Sequence, residues 1–331
     1  MNNYSHRLIK RCLSAGILGL LIVVVGSIVV DRTFDFGVPV YGFILGFLTA
    51  IIEMYILRRV KNQNPTFIVG FRVVLYIANI ALCLGLMRLT YFLVLPEENI
   101  TDFSTKSFGL NLSQSIIISI TILFYLQLEA IVGVGVFHNL LLGRYQHPKK
   151  EWRYFMFMDI NNSTQLVESL GDDTYFSMLN AYLRDLSKPV FESGASIYKY
   201  MGDEIMLTWK DKKTFEPEIA LKVYTDFKHI IESKSDFYMK SFGAVPTFKA
   251  GLHYGEVITA KVGDLKKEIA YNGDVLNITS RIMDRCKEFK QGIIMTEVVY
   301  NKMSEKPKNV LEISNLNIEG KRDPINVYGL K

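Results

Sequence analysis

The sequence predicts two parts of different class: an amino-terminal membrane domain of four helices, then an α+β domain built on a mixed sheet. Three observations carry this. The first 143 of the 331 residues hold long apolar runs with few charges, whereas the remainder is mixed and globular. Beyond residue 153, β-prone runs alternate with runs of helical spacing. Residues 197–209 read as strand, tight turn, strand, with Gly202 and Asp203 at the tip.

The membrane elements come first. Residues 13–30 are almost wholly apolar and follow His6, Arg7, Lys10 and Arg11; the run is long and lacks a small-x-small cleavage site, which predicts an uncleaved transmembrane helix. Residues 38–57 make a second span, 69–95 a third and 115–142 a fourth. Positive residues fall before the first span, after the second (Arg58, Arg59, Lys61) and after the fourth (Arg144, His147, Lys149, Lys150), while the 96–114 loop carries Glu97, Glu98 and Asp102. The positive-inside rule then places both termini in the cytoplasm of a multi-pass protein of the cell (inner) membrane, with the lipid bilayer as a partner. Within the spans lie Glu53, Arg72, Arg88 and Glu129, which read either as a sensing or ion-responsive site or as interhelical pairs. His138 has no second in-span histidine, so a bis-histidine haem site has no support.

The net charge of +5 lies largely beside the apolar runs and accords with membrane topology, not nucleic acid. Cys12, Cys83 and Cys286 offer neither a disulfide framework nor a zinc pattern. Residues 144–152 form a short basic connector, and 153–331 a second domain. There, residues 154–160 read as a buried strand delivering Asp159 to its C-terminal edge, and Ser163 caps a helix that Gly171 ends. Tyr175, Met178, Leu179, Tyr182, Leu186 and Val190 follow helical spacing. After the Gly202–Asp203 hairpin come a helix over 217–242, two strands at 248–255 and 257–262 about a turn, a helix over 275–288, a strand at 292–296 and a final pair at 310–318 and 324–329.

Asp159 and Asp203, on neighbouring strand ends, form a clamp for a divalent metal that a polyphosphate completes, because hard oxygens hold Mg²⁺ while phosphates fill its shell. Singly, each is better accounted for as a turn or capping aspartate, and only the downstream motifs reverse that. Downstream, Asn277 and Arg281 stand four apart on a helix and project from one face. An amide with a guanidinium suits a phosphoryl transition state, the amide orienting a sugar oxygen and the arginine spreading charge.

Phe157-Met158-Asp159-Ile160 with Ser163-Thr164, Lys199-Tyr200-Met201-Gly202-Asp203, Ala250-Gly251-Leu252-His253-Tyr254-Gly255, and Gly273-Asp274 with Asn277 and Arg281 together resemble the catalytic domain of class III nucleotidyl cyclases. The resemblance is to bacterial membrane-anchored adenylyl cyclases in particular. It implies a ferredoxin-like βαββαβ core and a homodimer whose two sites are each built from both chains. ATP is the implied substrate, with two Mg²⁺ (or Mn²⁺) per site. Asp159, Asp203 and the Ile160 carbonyl would hold the metals in one subunit; Lys199 would read the adenine and Asn277 with Arg281 would serve the transition state, all three from the other subunit.

Two departures stand out. Where the family has an Asp or Thr to accept from adenine, this chain has Ala270, leaving Thr208, Asn272 or a main-chain carbonyl as substitutes. Where many relatives carry a triphosphate lysine it has Glu319, leaving Lys321 or Lys266. A guanylyl or pyrimidine cyclase and a silent cyclase domain acting as receptor or scaffold are the rivals. A diguanylate cyclase would need glycine at Met201. The signal sensed by the membrane domain is not legible.

Overall fold

The computed structural model describes residues 3–29, 37–56, 64–94, 105–133, 143–213, 215–265, 267–318 and 323–331. His138, Lys266, Glu319 and Lys321 lie outside this set, as do Arg58, Arg59, Lys61, Glu97, Glu98 and Asp102, on which part of the orientation rests. The chain divides into two compact units, Met1–Val132 and Gly133–Lys331.

The first unit holds four helices: α1 (Asn3–Val29), α2 (Gly37–Ile51, continued by a wide turn over Ile52–Ile56), α3 (Pro65–Val94) and α4 (Thr105–Val132). Each contains a stretch long and apolar enough to cross a membrane: Leu8–Ile28, Val38–Tyr55, Thr66–Thr90 and Phe108–Val132. The fourth stretch begins earlier than the expected 115, and its expected end at 142 lies outside the described residues. Lipid-like surroundings offer no hydrophobic drive between helices, so close packing must supply it. Ala15 and Gly19 of α1 meet Gly42 and Gly46 of α2, and a Cβ added to Gly19 would lie 2.2 Å from the Gly42 carbonyl oxygen. Most of the in-span charges are paired. Arg11 binds Glu129 at 2.7 Å, and Arg72 stands 3.4 Å from Glu53, which also accepts from the Tyr76 hydroxyl. Arg88 instead borders a groove of ≈ 460 Å³ between α3 and α4, lined by Ile77, Leu84 and Ile116.

The second unit is built on β1 (Lys149–Ile160), α5 (Ser163–Leu170), α6 (Asp172–Ser193), β2 (Ser196–Met201), β3 (Glu204–Lys210), α7 (Glu218–Ser233), α8 (Ser235–Phe242), β4 (Phe248–Val262), β5 (Glu268–Asn272), α9 (Asp274–Asp284), β6 (Ile293–Thr296), α10 (Glu297–Lys302), β7 (Leu311–Leu316) and β8 (Ile325–Leu330). The strands form one eight-stranded sheet in the order β2-β3-β1-β4-β6-β8-β7, with β5 on the far end of β4. Strands β1 to β4 give the expected βαββαβ core, antiparallel throughout. Strand alternation sends Tyr154, Met156, Met158 and Ile160 into a core with Met178, Tyr182, Leu186, Val223 and Phe227 of α6 and α7. Phe155 and Phe157 face the other way, onto Val275 and Met283 of α9.

Several elements depart from expectation. Strand β1 starts at Lys149, inside the stretch read as connector. Helix α5 is preceded by Asn162 in the left-handed region (φ 54°), so Ser163 opens the helix instead of capping it. The expected 217–242 helix breaks at Lys234 (φ −106°), where Asp185 on α6 binds both Lys234 (2.5 Å) and the Tyr238 hydroxyl (2.9 Å). The two strands at 248–255 and 257–262 are one: Gly255 makes no turn, and its missing side chain leaves room for Val275, whose Cγ2 would stand 2.5 Å from an added Cβ. Helix α9 stops at Asp284, short of the expected 288.

Candidate active site

The β2–β3 hairpin closes through a two-residue turn, Gly202 and Asp203, in which Gly202 takes φ +64°, a region glycine enters freely. Because β3 pairs with β1 and Met158 is opposite Ile205, the turn stands beside the end of β1 where Asp159 lies. Asp159 and Asp203 come within hydrogen-bonding reach of each other. Burial first, and the Asp203 charge second, push the Asp159 carboxyl above the ordinary carboxylate range. Glu204 is also pushed up, to about 6, by burial and then by Asp159.

Lys249, directly across from Asp159 on β4, places its ammonium 3.2 Å from Asp159 Oδ2 and 3.5 Å from Asp284 Oδ1. Burial opposes that charge, but Asp159 and Asp284 outweigh it, and the Lys249 pKa is raised. Sequence reading missed Lys249: a lone lysine at a strand start gives no signal until its cross-strand partner is known. Ile160, the last residue of β1, is buried opposite Phe248.

A divalent cation fits this arrangement. Asp203 Oδ2 and Glu204 Oε1 are buried side-chain oxygens without a hydrogen-bond partner among the described residues, a costly condition that a cation relieves. Among the described residues no cluster of three or more His, Cys, Asp or Glu side chains could hold a metal. A pair of carboxylates leaves most of a coordination shell to water and phosphate.

Asn277 and Arg281 lie on α9, whose Val275, Ile278, Thr279, Ile282 and Met283 are buried. Neither the Asn277 amide nor the Arg281 guanidinium has a hydrogen-bond or ion-pair partner among the described residues, and no described contact joins them to Asp159 or Asp203 of the same chain. The helix lies close on β4 because residue 251 is glycine: a Cβ there would be 2.4 Å from the Thr279 carbonyl oxygen.

Lys199 on β2 meets β5 at Glu268, Nζ to Oε1 3.5 Å, while Tyr198 packs edge-on against Tyr271 with ring centroids 4.8 Å apart. Ala270 lies between Glu268 and Tyr271 and offers no side-chain acceptor. Thr208 is no substitute: it is buried, its hydroxyl donates to the Tyr154 carbonyl at 3.0 Å and accepts from Arg153 Nε at 3.1 Å. Glu268, two residues from Ala270 and leaving β5 on the same side, is an acceptor that sequence reading did not single out.

With this geometry in place, residues 146–331 match the adenylate and guanylate cyclase catalytic domain, and the chain belongs to that family. It carries a nucleotidyl cyclase catalytic domain behind four apolar helices. Among known proteins it is 30% identical over 255 residues to adenylate cyclase 2 of Rhizobium meliloti (strain 1021), covering 76% of this chain and 70% of that one. It is 28% identical over 186 residues to an adenylate cyclase of Anabaena cylindrica, covering 53% of this chain and 36% of its relative. A solved bacterial light-regulated adenylyl cyclase shares the fold, with a TM-score of 0.54 at 19% identity, over 66% of this chain and 63% of that one.

Proposed function

We propose that this protein is a membrane-anchored adenylyl cyclase that converts ATP to 3′,5′-cyclic AMP and pyrophosphate at sites shared by two copies of the chain. The observation that carries the reading is the convergence of Asp159 and Asp203 beside Lys249, with one buried Asp203 oxygen still lacking a partner. Asp159, Asp203 and the Ile160 carbonyl are the groups to hold two divalent ions, Mg²⁺ or Mn²⁺. Such ions lower the pKa of a ribose 3′-hydroxyl and neutralise charge on a leaving pyrophosphate.

The chain's own groups supply the rest. The 3′-oxygen forms a bond to the α-phosphorus, the bond from that phosphorus to the bridging oxygen of the β-phosphate breaks, and the hydroxyl proton leaves to water. Asn277 orients the ribose and Arg281 spreads charge from the phosphoryl oxygens, both offered by the partner copy. That they carry no partner among the described residues, and make no described contact with Asp159 or Asp203, is in keeping with a site completed by a second chain. Lys321 or Lys266 supplies charge to the triphosphate, and Lys249, 3.2 Å from Asp159, is a further cation beside the carboxylates. Lys199 reads the base, and Glu268 accepts from the adenine amine in place of Ala270. The domain limits in this reading are 1–143 for the membrane part, 144–152 for a connector whose last residues already belong to β1, and 153–331 for the rest of the catalytic part, with both termini cytoplasmic.

A second reading, a cyclase of guanylyl or pyrimidine specificity, is favoured by Ala270 alone. The full chain, purified in detergent and offered each of the four nucleoside triphosphates with Mg²⁺ or Mn²⁺, separates the two by product. Mixing Asp203→Ala with Arg281→Ala tests the shared site: each variant alone is expected to be inactive and the mixture to regain roughly a quarter of wild-type turnover, the share of one intact site in a random half-heterodimer population. No recovery from a mixture that demonstrably forms heterodimers refutes a site built from two chains.

A further inference from the structure

In the flat order β2-β3-β1-β4-β5, β2 and β5 would be four strand spacings apart, about 19 Å. Yet Lys199 stands 3.5 Å from Glu268 and Tyr198 packs edge-on against Tyr271. The sheet therefore curls until these edges meet. What lies under the meeting point is Arg153, 5% exposed in the middle of β1. Its guanidinium carbon is 4.6 Å from the Tyr271 ring centroid, its Nε donates to Thr208 Oγ1 at 3.1 Å, and its Nη1 donates to Glu151 Oε2 at 2.9 Å. Glu151, itself buried, also binds Lys210 at 2.6 Å and accepts from the Tyr145 hydroxyl at 2.9 Å.

A buried ion pair is poor value as a source of stability, since apolar side chains of like volume do as well without the desolvation cost. What a guanidinium adds is fixed geometry: a planar fork held at its nitrogens, with a flat face for an aromatic ring. Here the fork is held by β1 and β3 and the face carries Tyr271, the neighbour of Ala270. Tyr271 in turn seats Tyr198, the neighbour of Lys199. Tyr145 extends the same network towards the chain that leads into β1. It holds a left-handed backbone (φ 68°), accepts from Lys261 N–H at 2.8 Å and reaches Glu151 with its hydroxyl. A tyrosine in that region persists only where its surroundings hold it there.

We propose that Arg153 is a positioning residue of the base pocket, and that Tyr145 ties that pocket to the segment entering the domain. Through the edge-on Tyr271–Tyr198 contact, Arg153 sets where Lys199 and the 268–270 stretch of β5 stand. This rests on the reading of Lys199 and Ala270 as the base-facing positions. The test uses the full chain in detergent, with KM and kcat for ATP and for GTP measured beside the thermal midpoint. Arg153→Lys keeps the charge and loses the fork; it is expected to raise KM for ATP about tenfold, with kcat changed less than about threefold, and to narrow the ATP-over-GTP preference. Tyr145→Phe is expected to act in the same direction by about threefold. A merely structural role would lower the midpoint and the active fraction, hence kcat, and leave KM in place; that result overturns the proposal. So does a KM and an ATP:GTP ratio within twofold of wild type in Arg153→Lys. If Lys199→Ala leaves both quantities unchanged, the base-pocket reading falls and this proposal with it; if Lys199→Ala moves them and Arg153→Lys does not, only the proposal falls.

Discussion

Replacing Gly251 with alanine tests how closely the catalytic geometry depends on the seat of α9. The added Cβ would lie 2.4 Å from the Thr279 carbonyl oxygen and 2.9 Å from Met283 N and Cβ, so the obstacle is mainly the backbone of the helix. Restoring ordinary contact at 3.4 Å requires α9 to retreat by about 1 Å, because strand β4 is held by pairing on both sides. Asn277 and Arg281 ride on that helix. Displacing a catalytic group by about 1 Å costs on the order of 10²-fold in rate, whereas overpacking of this kind costs only about 1–3 kcal/mol of stability. Gly251→Ala is thus expected to fold, with a modestly lowered thermal midpoint, and to lose about 10²-fold in kcat with a smaller change in KM for ATP. Gly255→Ala is the control: its Cβ meets only a Val275 methyl at 2.5 Å, and a milder loss is expected. The assay is cyclic nucleotide formation by purified full chain, with melting followed in parallel. A Gly251→Ala enzyme within threefold of wild-type kcat would show that α9 does not set the reacting geometry.

Three further outcomes are expected. Asp203→Asn should reduce turnover by roughly 10²-fold or more, yet raise the thermal midpoint in divalent-free buffer by removing the charge beside Asp159; a lowered midpoint contradicts the crowding described. Glu204 has a folded-state pKa of about 6 against an ordinary value of 4.5, so the folded chain holds the proton more tightly and loses stability as pH rises across that window. In Glu204→Gln this decline should flatten, as read by melting between pH 4 and 7 without divalent ions; an unchanged slope assigns the decline to other groups. Glu268→Gln should weaken the preference for ATP over GTP by about tenfold, measured as the ratio of kcat/KM, and an unaltered ratio returns the adenine amine to a main-chain acceptor.

Much of the fold was legible where period and punctuation agree. The alternation through Asp159, the glycine at a turn needing positive φ, and the four-residue step from Asn277 to Arg281 all report local geometry, and sequence carries local geometry well. Misreadings arose where a tertiary contact gave a residue a different task. Gly255 looks like a turn because glycine usually marks one, yet here it makes room for a valine on α9. The 217–242 stretch shows no breaker, yet it breaks at Lys234, where Asp185, more than thirty residues earlier, binds Lys234 and Tyr238. Lys249, Glu268 and the Glu151–Arg153 pair left no local trace, since a charge's meaning depends on what stands opposite. The charges inside the apolar helices were visible, but only the packing shows Arg11 with Glu129 and Arg72 with Glu53.

The glycine seam between α1 and α2 has a mechanical corollary. Where a carbonyl oxygen of one helix occupies the space a side chain would fill on the other, no layer of rotamers exists to absorb sliding or rotation. Together these two helices form a stiff lever, resistant to sliding of one along the other. Helix α4 meets that lever through side chains, among them Ile118 and Ile122, and through the tether from Glu129 to Arg11, all of which have other conformations available. The freedom that this packing leaves is accordingly greater for α4 against the pair than within the pair itself.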